Sequence, residues 1–136
     1  MAYIDDVAAI SAMRHARSQV VTASTDSVDF LHPIYEGDAV CLEAFVTYTG
    51  RSSMEVFVKV VAEKLMTGER NVCAISFLTM VAVDTNGRPV PVPTVQPETD
   101  FEKELHENAK KRAEVRKARK KENEAMVKNI TTQLPW

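Results

Sequence analysis

Two cysteines in 136 residues are too few for a disulfide framework, and neither belongs to a CxxC pair or has a histidine at ligand spacing. Cys41 and Cys73 each sit inside an apolar, strand-like run, the setting of a buried free thiol in a reducing compartment. No apolar stretch reaches the roughly 20 residues that a membrane helix needs. The N-terminus lacks a basic leader followed by an apolar core and a cleavage site, so no secretory signal is expected and the expected location is cytoplasmic. Charge of one sign is not in excess: 17 Lys+Arg against 19 Asp+Glu leave −2, which argues for neither nucleic acid nor membrane as a partner. There are three histidines. His15 reads as a cation at a helix end, His32 as a turn residue before proline, and His106 as a solvated residue of a charged helix. None has a serine, cysteine or metal-ligand set at useful spacing. No Gly-x-Ser-x-Gly elbow is present, which disfavours a serine hydrolase. Asn129-Ile130-Thr131 matches a glycosylation acceptor, read as chance without an export signal.

What is present suits one globular domain: 45% hydrophobic and 26% charged residues. Residues 2–16 are rich in Ala, Ile and Met with no Gly or Pro, and predict a helix. From Val7 to Met13 it is apolar nearly all round, which predicts full burial. Strands are predicted over 20–30, 38–49, 54–65 and 72–83. In the first, Val20, Thr22, Ser24, Asp26 and Val28 share one face. Short turns, Thr49-Gly50-Arg51-Ser52-Ser53 and Thr67-Gly68-Glu69-Arg70 among them, favour an antiparallel sheet. Pro89, Pro91, Pro93 and Pro97 then form an extended strap, and residues 98–128 read as a charged helix with few apolar positions. One buried helix against an antiparallel sheet is an α+β arrangement.

The run Tyr3-Ile4-Asp5-Asp6-Val7-Ala8-Ala9-Ile10, then Arg14-His15-Ala16, then residues 20–34 ending Asp29-Phe30-Leu31-His32-Pro33-Ile34, closely resembles the acyl-CoA thioesterases of the hotdog superfamily. The likeness continues through Gly37-Asp38, Thr47 to Val56 and Phe77 to Asp84, in order across about residues 1–97. Bacterial short acyl-CoA hydrolases and both halves of the animal cytosolic enzymes carry this pattern. The resemblance implies a hotdog fold, a long central helix wrapped by a curved antiparallel sheet. Residues 1–97 would form that domain and 98–136 a proline-led, charged C-terminal helix. It further implies homodimers, assembled as trimers of dimers into a hexamer, with active sites between subunits. The implied reaction is hydrolysis of acyl-CoA to fatty acid and CoA. No metal and no cofactor take part, coenzyme A entering only as part of substrate and product. Family members begin with an Asn-bearing strand and a Gly-rich segment before the helix, and this chain opens at the helix position. A second reading follows: a catalytically impaired acyl-CoA-binding or oligomeric scaffold protein of the same fold. A third, nucleic-acid binding through the basic helix, would show a steep salt dependence and runs against the net charge.

Asp5 matches the family's catalytic aspartate. Its helix neighbours at i+3, i+4 and i+7 are Ala8, Ala9 and Ala12, which leaves room for a substrate or lets the helix pack closely on the sheet. Ionised at neutral pH, such an acid either activates a water against the thioester carbonyl or attacks it to form an anhydride. Backbone N–H groups at the helix N-terminus are candidate oxyanion donors. Asp6, one position round, is read as a pairing acid for Arg14 or Arg17. Arg51, Ser52 and Ser53 are a solvated turn or, by the resemblance, a loop near the CoA groove whose guanidinium and hydroxyls suit its phosphates. Asp26, Ser27 and Asp29 mark a solvent-exposed or subunit-pairing face. Thr22 and Ser24 are unranked candidates for substrate contact. The block Lys110-Lys111-Arg112 and Arg116 to Lys121 reads as a solvated basic face or as an attraction for polyanions.

Overall fold

The computed structural model describes residues 2–130. The glycosylation-like triplet at 129–131 and the last residues of the 98–136 segment run beyond them. In chain order the elements are α1 (Ala2–Ala16), β1 (Gln19–Phe30), β2 (Ala39–Thr49), β3 (Ser53–Glu63), β4 (Arg70–Val83) and α2 (Asp100–Val127). The strands form one antiparallel sheet in the order β1-β4-β3-β2. Among the described residues no helix is long and apolar enough to cross a membrane.

Side chains of a strand alternate between faces, and here the two faces carry different helices. Met54, Val56, Val58 and Val60 of β3, with Leu78, Met80 and Ala82 of β4, meet α1 through Ile4, Ala8 and Ala12. Those three helix positions are four apart and form a single stripe. Burial of α1 is therefore one-sided, not complete as its sequence predicts. Tyr3, Ile10 and Met13 are 77%, 52% and 40% exposed, because one sheet covers only one stripe of a helix. The helix stops at Arg17, whose φ of 55° is left-handed and whose amide reaches back to the Met13 carbonyl at 2.7 Å.

The opposite face holds α2. Phe45, Phe57 and Phe77 stand directly opposite one another across β2, β3 and β4, with ring centroids 5.4 and 5.2 Å apart. Phe101 of α2 meets Phe45 and Phe57 edge-on, and the Arg112 guanidinium lies 4.3 Å over Phe77. Arg112, Arg116 and Arg119, spaced to share one helix face, reach down to acids of the sheet. Arg112 pairs with Glu55, and Arg116 and Arg119 pair with Asp26. The basic block is thus not simply a solvated face: its arginines clamp the helix to the sheet, and lysines such as Lys110, Lys111 and Lys121 stay exposed.

Strict alternation along β1 also fails. Bulges between Thr22 and Ser24 and between Thr25 and Ser27 each add a residue and turn the following side chains over. Thr22 therefore faces α1, whereas Ser24 and Asp26 reach the α2 side, where Asp26 accepts hydrogen bonds from Ser24, Thr79 and Arg119. His106 is held rather than solvated, its Nδ1 against the Thr47 carbonyl at 3.0 Å and its ring beside Tyr48.

The proline strap alternates Pro89-Val90-Pro91-Val92-Pro93. Proline has no N–H, and the valines supply the donors: Val90 N–H bonds the Ala82 carbonyl and Val92 N–H the Arg51 carbonyl. His15 Nε2 donates to the Pro93 carbonyl at 2.6 Å, tying the end of α1 to the strap.

A capping box opens α2. The Thr99 hydroxyl accepts the Glu102 N–H, and the Glu102 carboxylate accepts the N–H groups of Thr99 and Glu98. These backbone donors hold the Glu102 carboxyl below its ordinary value. A depressed carboxyl stabilises the fold fully above its unfolded pKa and loses that contribution as pH falls through the folded one. Protection of the Thr99 and Glu102 amides, measured against the unfolded exchange rate at each pH, should accordingly fall in acid, and E102Q should remove that acid dependence while Thr99→Ala weakens the cap at every pH by about 1 kcal/mol.

Candidate active site

Asp5 stands in the first turn of α1 and is half-buried. Its Oδ1 accepts the Thr22 hydroxyl at 2.8 Å. Thr22 lies opposite Met80 in the sheet register, and its Oγ1 is 3.4 Å from the Met80 sulfur. One charge-assisted hydrogen bond thus joins the head of the helix to the middle of edge strand β1. Among the described residues the second carboxylate oxygen, Oδ2, has no partner. It is left to meet water or a substrate at the exposed margin of β1, where Val21 is half exposed.

The alanines near Asp5 do not open a cavity within the protomer. Ala8 and Ala12 are fully buried and Ala9 packs on the same core, so their small size brings the helix close to the sheet. Asp6 is exposed and forms no ion pair with Arg14 or Arg17 among the described residues.

Arg51 and Ser52 occupy the turn before β3, as their sequence predicts, whereas Ser53 is already the first residue of the strand. Arg51 is exposed, and its carbonyl and that of Ser52 hold the strap and β4 through Val92 and Ala82. Ser53 sits one rung beyond Met54, which pairs with Met80 opposite Thr22. Alternation puts its side chain on the α2 face, away from Asp5. There it lines a cleft with Ser24, Thr79 and Arg116, Lys117, Arg119 and Lys120 of α2. Gly50 makes room for it: a β-carbon at that position would lie 2.6 Å from the Ser53 hydroxyl. Within one protomer, then, Asp5 and Arg51–Ser53 do not share a cavity.

Thr22 is the partner that sequence reasoning left unranked. A hydroxyl among apolar residues of a strand is a weak signal, and nothing local says that it meets an acid seventeen positions earlier. Arg116 and Arg119 were equally hidden within a run of like charges.

Residues 1–69 match the family model of the thioesterase superfamily. The uncharacterized acyl-CoA thioester hydrolase YkhA of Bacillus subtilis is 60% identical over the whole chain, which spans 79% of that protein. A solved apo-hexameric acyl-CoA thioesterase shares 59% identity, with a TM-score of 0.85 over 87% of this chain and 76% of its own. The acyl-CoA hydrolase of Staphylococcus aureus, in complex with butyryl coenzyme A and coenzyme A, shares 49% identity. Its TM-score is 0.90 over 95% of this chain and 79% of its own. Alanine variants of the S. aureus enzyme, at an aspartate, a threonine and an asparagine, are similar too. The aspartate and threonine replaced there lie 17 residues apart, the separation of Asp5 from Thr22. With half its length matched by the family model and its whole length by a relative at 60% identity, the chain belongs to the thioesterase superfamily.

Proposed function

We propose that the chain is an acyl-CoA thioester hydrolase in which Asp5 carries the chemistry. The observation that carries this reading is the Asp5–Thr22 hydrogen bond, which fixes one carboxylate oxygen and leaves the other open at a strand edge. In the general-base route Oδ2 takes a proton from water as the water oxygen attacks the thioester carbonyl carbon. The C–S bond then breaks, and the CoA thiolate leaves and is protonated. In the nucleophilic route Oδ2 itself attacks the carbonyl carbon, the C–S bond breaks and the CoA thiolate leaves and is protonated, and water then hydrolyses the anhydride to the fatty acid and the free Asp5 carboxylate. First-turn N–H groups of α1, which lack intrahelical acceptors, suit the oxyanion. Arg51, Ser52 and Ser53 serve the CoA moiety, and no metal or added cofactor is needed.

The enzyme works in the cytoplasm as a homo-oligomer, as a dimer and then a trimer of dimers. Three features support this assembly. Among the described residues edge strand β1 has one neighbour, β4, which leaves its outer N–H and C=O groups for pairing with a second copy. The apolar flank of α1, with Tyr3 and Ile10, is uncovered in one protomer. Phe30, Leu31 and Ile34 line an exposed hollow of about 420 Å³ just after β1. A subunit interface here would bring the surface of a second copy to the margin of β1, where Asp5 is open.

The test is thiol release from butyryl-CoA and longer acyl-CoA esters by the purified chain, with its mass measured in solution. Turnover by an oligomer is expected. Acyl-CoA binding without thiol release selects the impaired binding protein instead. Thr22→Val should lower kcat by tenfold to a hundredfold, the worth of roughly 1.5–3 kcal/mol for a hydrogen bond to a charged group, with KM little changed. Thr22→Ser should restore most of it, which a merely structural role for the residue would not require.

A further inference from the structure

We infer that Asp26 is a positioning residue for the proposed hydrolysis: held by α2, it fixes the register of β1 and so decides which hydroxyl meets Asp5. The inference rests on the proposed function for its consequence, and on the geometry of β1 for its cause. The C-terminal part of β1 pairs with β4 as Ser27↔Phe77, Val28↔Ser76 and Asp29↔Ile75. Continued without interruption, that register would set Ser24 opposite Met80. Thr22 would then stand opposite Ala82, two positions or about 7 Å further along the strand. Thr22 is opposite Met80 instead, because the bulges at Ala23 and Asp26 each take up one residue. The 2.8 Å hydrogen bond from Thr22 to Asp5 belongs to this bulged register.

A bulge takes polar backbone out of the ladder, and one acid holds both bulges from the α2 side. Asp26 is itself the extra residue of the second. Arg119 Nη1 donates to its carbonyl oxygen at 2.8 Å, and Nη2 donates to Oδ1 at 2.9 Å. The carboxylate also grips the first bulge. Its Oδ1 accepts the hydroxyl of Ser24, the residue just past Ala23, and its Oδ2 accepts the Thr79 hydroxyl at 2.8 Å. Thr79 is the residue of β4 that pairs with Ser24, and it precedes Met80, whose sulfur lies 3.4 Å from Thr22 Oγ1. Arg116 adds a longer contact to Oδ2 at 3.4 Å. The acid also opposes the unbulged register. There its side chain would turn into the core opposite Leu78, which is 1% exposed, away from the arginines of α2.

The experiment is a cycle of Asp26→Val with Thr22→Val in the full chain, read by kcat and KM for butyryl-CoA and by NOEs between labelled methyl groups. Valine removes the carboxylate and suits the core position opposite Leu78, so β1 should move to the unbulged register. The strongest NOE of the Thr22 methyl should then pass from the Met80 methyl to that of Ala82. Thr22→Val, worth at least about tenfold in kcat in the wild type, should cost the Asp26→Val protein less than about twofold. An acid that only stabilises the fold would leave the NOE pattern as it is, and the two losses in kcat would multiply. Either result overturns the assignment. If Asp26→Val does not fold, R116A/R119A releases the acid by changing two partly exposed side chains. It is judged by the same cycle and the same NOEs. A rise in KM at unchanged kcat in that variant would make the arginines ligand-binding groups and would also overturn the assignment. A wild-type chain that does not hydrolyse butyryl-CoA removes the proposed hydrolase but not the register, which the NOEs then decide alone.

Discussion

Replacing Asp5 by asparagine is expected to lower kcat for acyl-CoA hydrolysis by roughly 10²–10⁴-fold, the span over which positioned general acids and bases act. The substitution isolates charge. Asparagine keeps the shape of aspartate, and its carbonyl oxygen can still accept the Thr22 hydroxyl that reaches Oδ1 at 2.8 Å. The head of α1 should stay on β1, and circular dichroism and oligomer mass should match the wild type. What disappears is the anionic Oδ2, the atom required both to draw a proton from water and to attack the carbonyl itself. KM should change little, since neither route assigns Asp5 to CoA binding. Asp5→Ala should lose at least as much and also release Thr22. Thiol release under saturating acyl-CoA measures all three proteins. An asparagine variant retaining more than about a tenth of wild-type kcat would remove Asp5 from the chemistry, because that loss falls short of the tenfold-squared minimum for a proton-transfer group. If the large loss is observed, rapid-quench measurement of the first turnover of the wild type separates the routes. CoA thiol released ahead of fatty acid, in an amount matching the sites, marks the anhydride, and simultaneous release of the two favours the water route.

Order and type of every element were legible from local pattern. Alanine-rich residues 2–16 gave α1, β-branched runs gave the strands, and the 28-residue α2 follows from charge without glycine or proline. The family resemblance supplied the wrapping of helix by sheet. The ends of β1 were readable too, yet the facing of its middle was not. Bulges at Ala23 and Asp26 depend on how β1 registers with β4, and a period-two reading of one strand carries no trace of its neighbour. The same limit hid the second layer. Phe45, Phe57 and Phe77 become a ladder only when three strands align, so α2 looked like a helix with too little to pack on. At the candidate site, an acid in the first turn of a helix was visible as a residue, and Thr22 was not visible as its partner. The alanines beside Asp5 were legible as small and ambiguous as to use, because a sequence does not say which flank of a helix touches the sheet.

Glu55 makes the strongest case for that second layer, and Arg112→Ala is expected to destabilise the protein by about 3–5 kcal/mol, the penalty for leaving one member of a buried ion pair alone. The Glu55 side chain is 3% exposed and that of Arg112 23%. Both carboxylate oxygens are engaged: Arg112 Nη2 donates to Oε1 at 2.7 Å and Nε to Oε2 at 2.9 Å, while the Thr47 hydroxyl donates to Oε1 at 2.6 Å. This fork-to-fork geometry offsets the desolvation of two charges. Truncating Arg112 also uncovers the Phe77 ring and breaks the link from α2 to Glu55, so α2 should loosen at its centre. The sign differs for an apolar exchange of both partners. Glu55→Leu with Arg112→Met removes the desolvation cost together with the attraction, and its stability should lie close to wild type. Urea unfolding at fixed protein concentration of Arg112→Ala, and of Glu55→Leu, Arg112→Met and their double set in a cycle, separates pair from packing. A loss below about 1 kcal/mol for Arg112→Ala would equal an exposed surface pair and would mean that α2 is not seated on the sheet in solution. The same result would unseat Arg116 and Arg119, because the helix face that holds them is the one that Arg112 anchors.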